Sequence, residues 1–245
     1  MRKSGYPVKP FGVALVLLGL VGVNQAGAAD LPLPAIGVPS SPANDYANAY
    51  ARWGGAYVGI NGGYGLGSSQ WTLGGMPSSV FDTNGFLLGG TVGFNYPVSE
   101  VLFGLEGDVD WTSLDGSTAG CAVNAGGAVA ACETKNSFLG TARVRVGYAA
   151  ERTLIYVTGG AAFGNIQTGL NPTATFDSTM RAGWAAGAGL EYAFSGNWSA
   201  KAEYLFVNLG TASCTTFANC GSATGASAVL TENLIGGGFN YRFSW

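Results

Sequence analysis

The last eight residues of this chain, Gly238 to Trp245, alternate without interruption. Phe239, Tyr241, Phe243 and Trp245 fall on one face, and Gly238, Asn240, Arg242 and Ser244 on the other. Successive side chains of a strand point to opposite faces, so a period of two is a strand signal that an amphipathic helix does not give. Aromatics on one face and polar or tiny residues on the other describe a wall between lipid and a polar interior. The pattern recurs upstream. Phe103, Leu105, Val109 and Trp111 oppose Glu106, Asp108 and Asp110, and Val144, Val146 and Tyr148 oppose Arg143 and Arg145. Trp184, Leu190, Tyr192 and Phe194 oppose Arg181 and Glu191, and Ala200, Ala202, Tyr204 and Phe206 oppose Ser199, Lys201 and Glu203.

Eight such segments can be read, at 53–66, 83–97, 100–112, 136–149, 152–165, 179–194, 197–212 and 231–245. Three connections are very short, at 97–100, 149–152 and 195–197; the other four, at 67–82, 113–135, 166–178 and 213–230, are long. Short and long connections in strict alternation predict an all-β, eight-stranded antiparallel up-and-down transmembrane β-barrel, with turns on the periplasmic side and loops outside. A lipocalin-like barrel has the same strand count but puts apolar residues inside. Here the charges share their face with glycine, and only small residues and ion pairs are expected to fit so narrow a lumen.

Composition agrees. The chain is 47% hydrophobic but only 10% charged, with 41 glycines among 245 residues. Glycine shows no three-residue period, which excludes a collagen helix. The uncharged stretches 53–81 and 153–176 are too rich in Gly, Ser, Thr, Asn and Pro for membrane helices.

At the N-terminus, Arg2, Lys3 and Lys9 precede an apolar run from Phe11 to Val23 and the small residues Ala26-Gly27-Ala28. This reads as a secretory signal peptide, residues 1–29, cleaved near Ala28 or Ala29. Its removal takes three of the 11 basic residues and none of the 14 acids, moving the net charge from −3 to −6. An acidic exported chain is a poor ligand for nucleic acid. Residues 30–52 are Pro-rich and poor in bulky side chains, as in a flexible linker, and the barrel domain is expected at 53–245.

The start Asp30-Leu31-Pro32, the strand Trp53-Gly54-Gly55-Ala56-Tyr57-Val58-Gly59-Ile60-Asn61-Gly62-Gly63-Tyr64-Gly65 and the ending Phe239-Asn240-Tyr241-Arg242-Phe243-Ser244-Trp245 resemble the small outer-membrane proteins of alphaproteobacteria, the 25/31 kDa surface-protein or porin-like β-barrel family. The resemblance covers essentially the whole mature chain. It implies a place in the bacterial outer membrane, among lipid and lipopolysaccharide; the barrel is expected to be a monomer. It also implies that Tyr241, Phe243 and above all the terminal Trp245 are read by the barrel-insertion machinery. Members of the family are connected with host contact and haem capture, which keeps a ligand at the loops open as a surface receptor or adhesin reading. Histidine is absent, so haem ligation here would fall to tyrosine or Met76 in the first loop. The first loop also holds Trp71 and Phe81, and Phe176 lies near the third. No cofactor or metal is otherwise implied.

The expected lumen holds Glu106, Asp108, Asp110, Glu191, Glu203 and Glu232 against Arg143, Arg145, Arg181, Lys201 and Arg242. An unpaired charge in a narrow low-dielectric interior costs several kcal/mol, so these groups are expected to interlock and plug the barrel. The other reading of the same charges is a selectivity filter in a small-solute or ion pore. Cys121 and Cys132 fall in the second expected loop, Cys214 and Cys220 in the fourth; export favours disulfides, and proximity favours pairing within each loop. Neither pair has CxxC spacing, which argues against a metal site. No GxSxG elbow, phosphate loop or HExxH is present. With no histidine for a general base, the chain is not expected to be an enzyme, and its main role is expected to be structural, in envelope integrity and surface display.

Overall fold

The computed structural model describes residues 52–73, 75–123, 129–171, 176–214 and 226–243. The expected signal peptide, the linker up to residue 51, Cys220 and Trp245 lie outside the described residues, as do the side chains of Met76, Cys121 and Cys214.

Eight long strands follow one another: β1 (Gly55–Leu73), β2 (Phe81–Val98), β3 (Val101–Val123), β4 (Val129–Ala150), β5 (Thr153–Asn171), β6 (Phe176–Ser195), β7 (Trp198–Cys214) and β8 (Ala226–Arg242). Each pairs antiparallel with the next, and β8 closes on β1 from Tyr57↔Arg242 up to Leu73↔Ala226. A two-residue strand, Met76–Pro77, folds back on the end of β1 outside the ring. The short connections are tight turns, in which Ser99, Glu151 and Gly196 take the positive φ that reverses a chain within two residues.

The register fixes the tilt. From Glu191 the cross-strand partners run through Lys201, Gly238, Asn61, Gly89, Asp110, Leu139 and Gly164, and return to β6 at Arg181. One circuit therefore climbs ten residues, from position 191 to 181, and the strands are steeply inclined to the barrel axis, in the ~35–45° range of closed barrels.

Outward-facing residues form an apolar belt, from Val101 to Trp111 on β3 and from Ile155 to Phe163 on β5. About ten residues at this tilt span the ~25 Å apolar band of an outer-membrane barrel. Tyr96, Tyr148, Tyr192, Trp198 and Tyr241 mark its inner rim, and Trp111, Phe163 and Trp184 its outer rim. Above the outer rim the outward residues turn polar, as with Ser113, Asp115 and Ser117 on β3 and Asn165 and Gln167 on β5, yet the strands continue.

That continuation corrects the expected loops. Much of 67–82, 113–135, 166–178 and 213–230 is strand, because a ladder surrounded by water needs no lipophilic face and loses the alternation by which it could be recognised. Trp71 and Phe81 lie on β1 and β2, buried and facing inward, rather than in a loop. Cys132 is a buried β4 residue and disulfide-bonded; the pairing involves side chains outside those described. A bulge between Asn136 and Leu139 shifts the phase of β4, so that both residues face inward.

Candidate functional site: the charged lumen

Tyr57 and Gly93 are direct cross-strand partners, and so are Tyr156 and Gly189. Each tyrosine ring lies over its glycine, where a Cβ would come within 2.2 Å of Tyr57 and 2.5 Å of Tyr156. The two rings box in Arg145, whose guanidinium carbon is 4.0 Å from the Tyr156 centroid and 5.7 Å from that of Tyr57. The expectation that only small residues and ion pairs occupy the lumen is thus corrected. Two large aromatic rings enter, each opposite a glycine.

Around Arg145 the ion pairs are continuous. Its guanidinium reaches Glu191 at 2.9 Å and Glu106 at 3.2 Å, and donates to the Tyr57 hydroxyl, which in turn donates to Glu106. Arg143, paired across the strands with Glu106, bonds it at 2.7 Å, Asp108 at 2.6 Å and Glu203 at 2.8 Å. Lys201 lies between Glu106 at 3.4 Å and Asp108 at 3.8 Å. Arg242 joins from β8 through Glu191 at 3.4 Å. Hydroxyls and amides take up the remaining lone pairs: Thr91 and Thr141 donate to Asp108, Ser199 and Asn240 to Glu191, and Tyr156 to Glu203. The linked set holds Glu106, Asp108, Glu191 and Glu203 against Arg143, Arg145, Lys201 and Arg242, so it is neutral.

Three expected members stand outside the ion pairs. Asp110 accepts a hydrogen bond of 2.6 Å from Asn61, and Glu232 one of 2.9 Å from Asn136, but neither meets a cation among the described residues. Arg181 pairs with no acid among them, and its Nε is buried without a partner. The physical reason is height. Asp110 lies opposite Leu139, Glu232 opposite Val207, and Arg181 opposite Gly164, all nearer the outer end than the network. At that level the lumen is filled by Leu87, Leu139, Ile166, Leu205, Leu209 and Leu234, an apolar layer that alternation alone does not place inside. Between layer and network lies a cavity of about 40 Å³ lined by Asn61, Asp108, Asp110 and Lys201, which has room for a water molecule or two.

The periplasmic mouth is closed by the residues just before β1. Trp53 is fully buried against Leu102, Ala149, Leu154 and Tyr156, and its indole N–H donates to the Glu151 carbonyl at 3.2 Å. Arg242 stacks on the ring at 4.4 Å and donates to the Arg52 carbonyl. Of the residues expected to guide insertion, Tyr241 and Phe243 lie edge-to-face at 5.3 Å, and Tyr241 meets Trp198 at 5.2 Å. Tyr57, Tyr156, Asn61 and Asn136 are lumen residues that the charge pattern missed. Tyr57 and Asn61 were findable, since they share the period of Gly59 and Gly63 on β1.

Comparison with known proteins agrees with this architecture. A family model described as the outer membrane protein β-barrel domain matches residues 32–243. The 31 kDa outer-membrane immunogenic protein of Brucella melitensis is 33% identical over 220 residues, covering 81% of this chain and 87% of that protein. The 25 kDa outer-membrane immunogenic protein of Brucella abortus is 29% identical over 199 residues, covering 81% and 83%. The 22 kDa outer membrane protein of Rhizobium leguminosarum bv. viciae is 28% identical over 158 residues, 64% of each chain. Among solved structures, the outer membrane protein OprG of Pseudomonas aeruginosa is similar in fold, with TM-score 0.50 and 13% identity over 78% of this chain and 98% of that one.

Proposed function

Because the chain belongs to the outer membrane β-barrel protein family, with the 25 and 31 kDa Brucella proteins among its relatives, we propose that it acts as a sealed structural barrel. In this reading it strengthens the outer membrane and displays strand extensions at the cell surface, without conducting solutes and without catalysis. The observation that carries the reading is the lumen itself. A neutral ion-pair network, an apolar layer above it and the Trp53 closure below follow one another along the axis. A permeating ion would have to break charge-assisted hydrogen bonds and also dewet a leucine layer.

The barrel works as a monomer inserted among lipopolysaccharide and lipid, delivered by the insertion machinery that reads Tyr241, Phe243 and Trp245. A signal peptide at 1–29, a linker at 30–52 and intraloop pairing of Cys121 with Cys132 and Cys214 with Cys220 complete the proposal. Planar-bilayer recording with the purified protein tests it. No steady current is expected, and a sustained porin-sized conductance overturns the sealed barrel in favour of a small-solute or ion pore.

A further inference from the structure

Every neighbouring pair of strands except one stays hydrogen-bonded well above the outer rim. The ladder between β6 and β7 stops at Trp184↔Asn208, although β6 runs up to Phe176 and β7 to Cys214. The cause is local to β7. Gly210, at φ +69°, receives the Asn208 side chain on its backbone N–H at 2.8 Å, and the register against β8 slips between Asn208 and Thr211. Above this bulge Leu209 leans inward, to where a Cβ on Gly164 of β5 would lie 2.4 Å from it. β7 thus turns over the lumen and leaves the upper edge of β6 without a partner strand.

At Gly183 the β7 backbone still packs on β6, where a Cβ would come within 2.8 Å of the Leu209 Cα; above it the edge of β6 has no ladder partner on this side. Inward-facing Asn136, Ile166, Thr168 and Leu230 on other strands are fully buried near the outer end, whereas Thr179 and Arg181 on β6 are only half-buried. Arg181 is also the one lumen base among the described residues that pairs with no acid. A cation kept without its counter-ion beside an opening is complementary to an anion from outside. Beside the slot, on the outward face of β6, Met180 is exposed above the rim residue Trp184, with Ala182 between them and Phe206 5.3 Å from Trp184.

We propose that this slot is a binding site for a single-chain aliphatic carboxylate of the outer leaflet. The head group passes between β6 and β7 to the Arg181 guanidinium, and the chain runs down the outward face of β6 over Met180 and Ala182 to Trp184, where the membrane begins. A carboxylate fits because it is flat and matches the guanidinium fork with two parallel hydrogen bonds.

The test uses the full mature chain in phosphatidylcholine nanodiscs, ¹⁵N-labelled so that the Arg181 Nε–Hε resonance can be followed. Decanoate is expected to shift that resonance saturably while those of Arg143 and Arg145 stay in place, and decanol at equal membrane loading is expected to leave all of them unmoved. Arg181→Gln is expected to weaken decanoate binding about ten-fold or more. Met180→Asp, which keeps the cation and removes the chain contact, is expected to weaken it as well. Equal shifts with decanol, binding by Arg181→Gln as tight as wild type, or no effect of Met180→Asp would each overturn the proposal. So would a resonance that responds to purified lipid A but not to decanoate.

Discussion

Arg145 stacks face-on against Tyr156, with its guanidinium carbon 4.0 Å from the ring centroid, and the stack exists because the residue opposite Tyr156 is Gly189. The same geometry on the other side places Tyr57 over Gly93. Glycine on this inner face thus makes room for aromatic rings as well as for strand crowding.

Gly93→Ala and Gly189→Ala are accordingly expected to push the tyrosine rings off their positions and to destabilise the barrel by about 1–3 kcal/mol each, the usual cost of overpacking. Gly159→Ala is the control, since its new Cβ would meet nothing closer than 3.6 Å. It is expected to be neutral or slightly stabilising, because alanine holds a strand better than glycine. Urea unfolding of detergent-refolded protein, followed by heat-dependent gel mobility, reads all three. Equal midpoints for Gly93→Ala and Gly159→Ala would contradict the packing argument.

Arg143 serves three acids at once, Glu106, Asp108 and Glu203, all within 2.8 Å. Replacing it by methionine keeps most of the volume, takes the nearest cation from three carboxylates in a water-poor interior and leaves Glu203 with none, while Glu106 and Asp108 keep Arg145 and Lys201. The expected loss is about 3–5 kcal/mol, as for breaking a buried ion pair by removing one partner. Lys135→Met provides the comparison. Its pair with Glu133 at 2.9 Å lies above the membrane belt and is partly exposed, so the expected loss is under about 1 kcal/mol. Unfolding midpoints that fall equally for the two variants would show that the lumen is far wetter than its hydrogen bonds imply.

How much of this could be read from the sequence depended on distance along the chain. The belt was legible because each strand carries its own alternation, and the lumen face of β3, with Glu106, Asp108 and Asp110, announces itself within five residues. Which of these acids would find a base was not legible. Glu106 meets Arg143 and Asp110 meets Leu139 because of how β3 registers on β4 across a long connection, and nothing local encodes that register. The strand extensions were lost for a different reason. Once both faces touch polar surroundings, as at Ser113 to Ser117, a strand and a loop have the same composition. The inward leucines of β7, Leu205 and Leu209, continue the face of Lys201 and Glu203, and a lumen read by its charges alone passes over them.

Trp53 seals the periplasmic mouth from outside the ladder, held by packing, by its bond to the Glu151 carbonyl and by the Arg242 stack. Trp53→Ala is expected to cost about 3–5 kcal/mol, as for other buried aromatics, because the cavity it leaves faces water on one side and packed leucines on the other. Trp53→Phe keeps the ring and gives up only the indole N–H, so about 1 kcal/mol is expected. A cysteine placed at Leu102 should react with a maleimide in the Trp53→Ala background and stay protected in Trp53→Phe. Equal labelling in the two backgrounds would mean that the mouth is closed by something other than this ring.

The height of the belt makes the last prediction. Val144 is 52% exposed, directly opposite Leu105 at mid-belt, where an outward side chain meets acyl chains. Ser117 faces outward above Trp111, beyond the outer rim, opposite Glu133. An arginine on the lipid face costs about 2–4 kcal/mol at the midplane and falls to about 0–1 kcal/mol near the interfaces. Val144→Arg is therefore expected to lower folding yield into phosphatidylcholine vesicles and to shift the urea midpoint strongly. Ser117→Arg is expected to leave both within error, helped by the acid across the ladder. If the two variants were equally damaging, the strand extensions would have to lie in lipid, and the belt from Val101 to Trp111 would not mark the membrane.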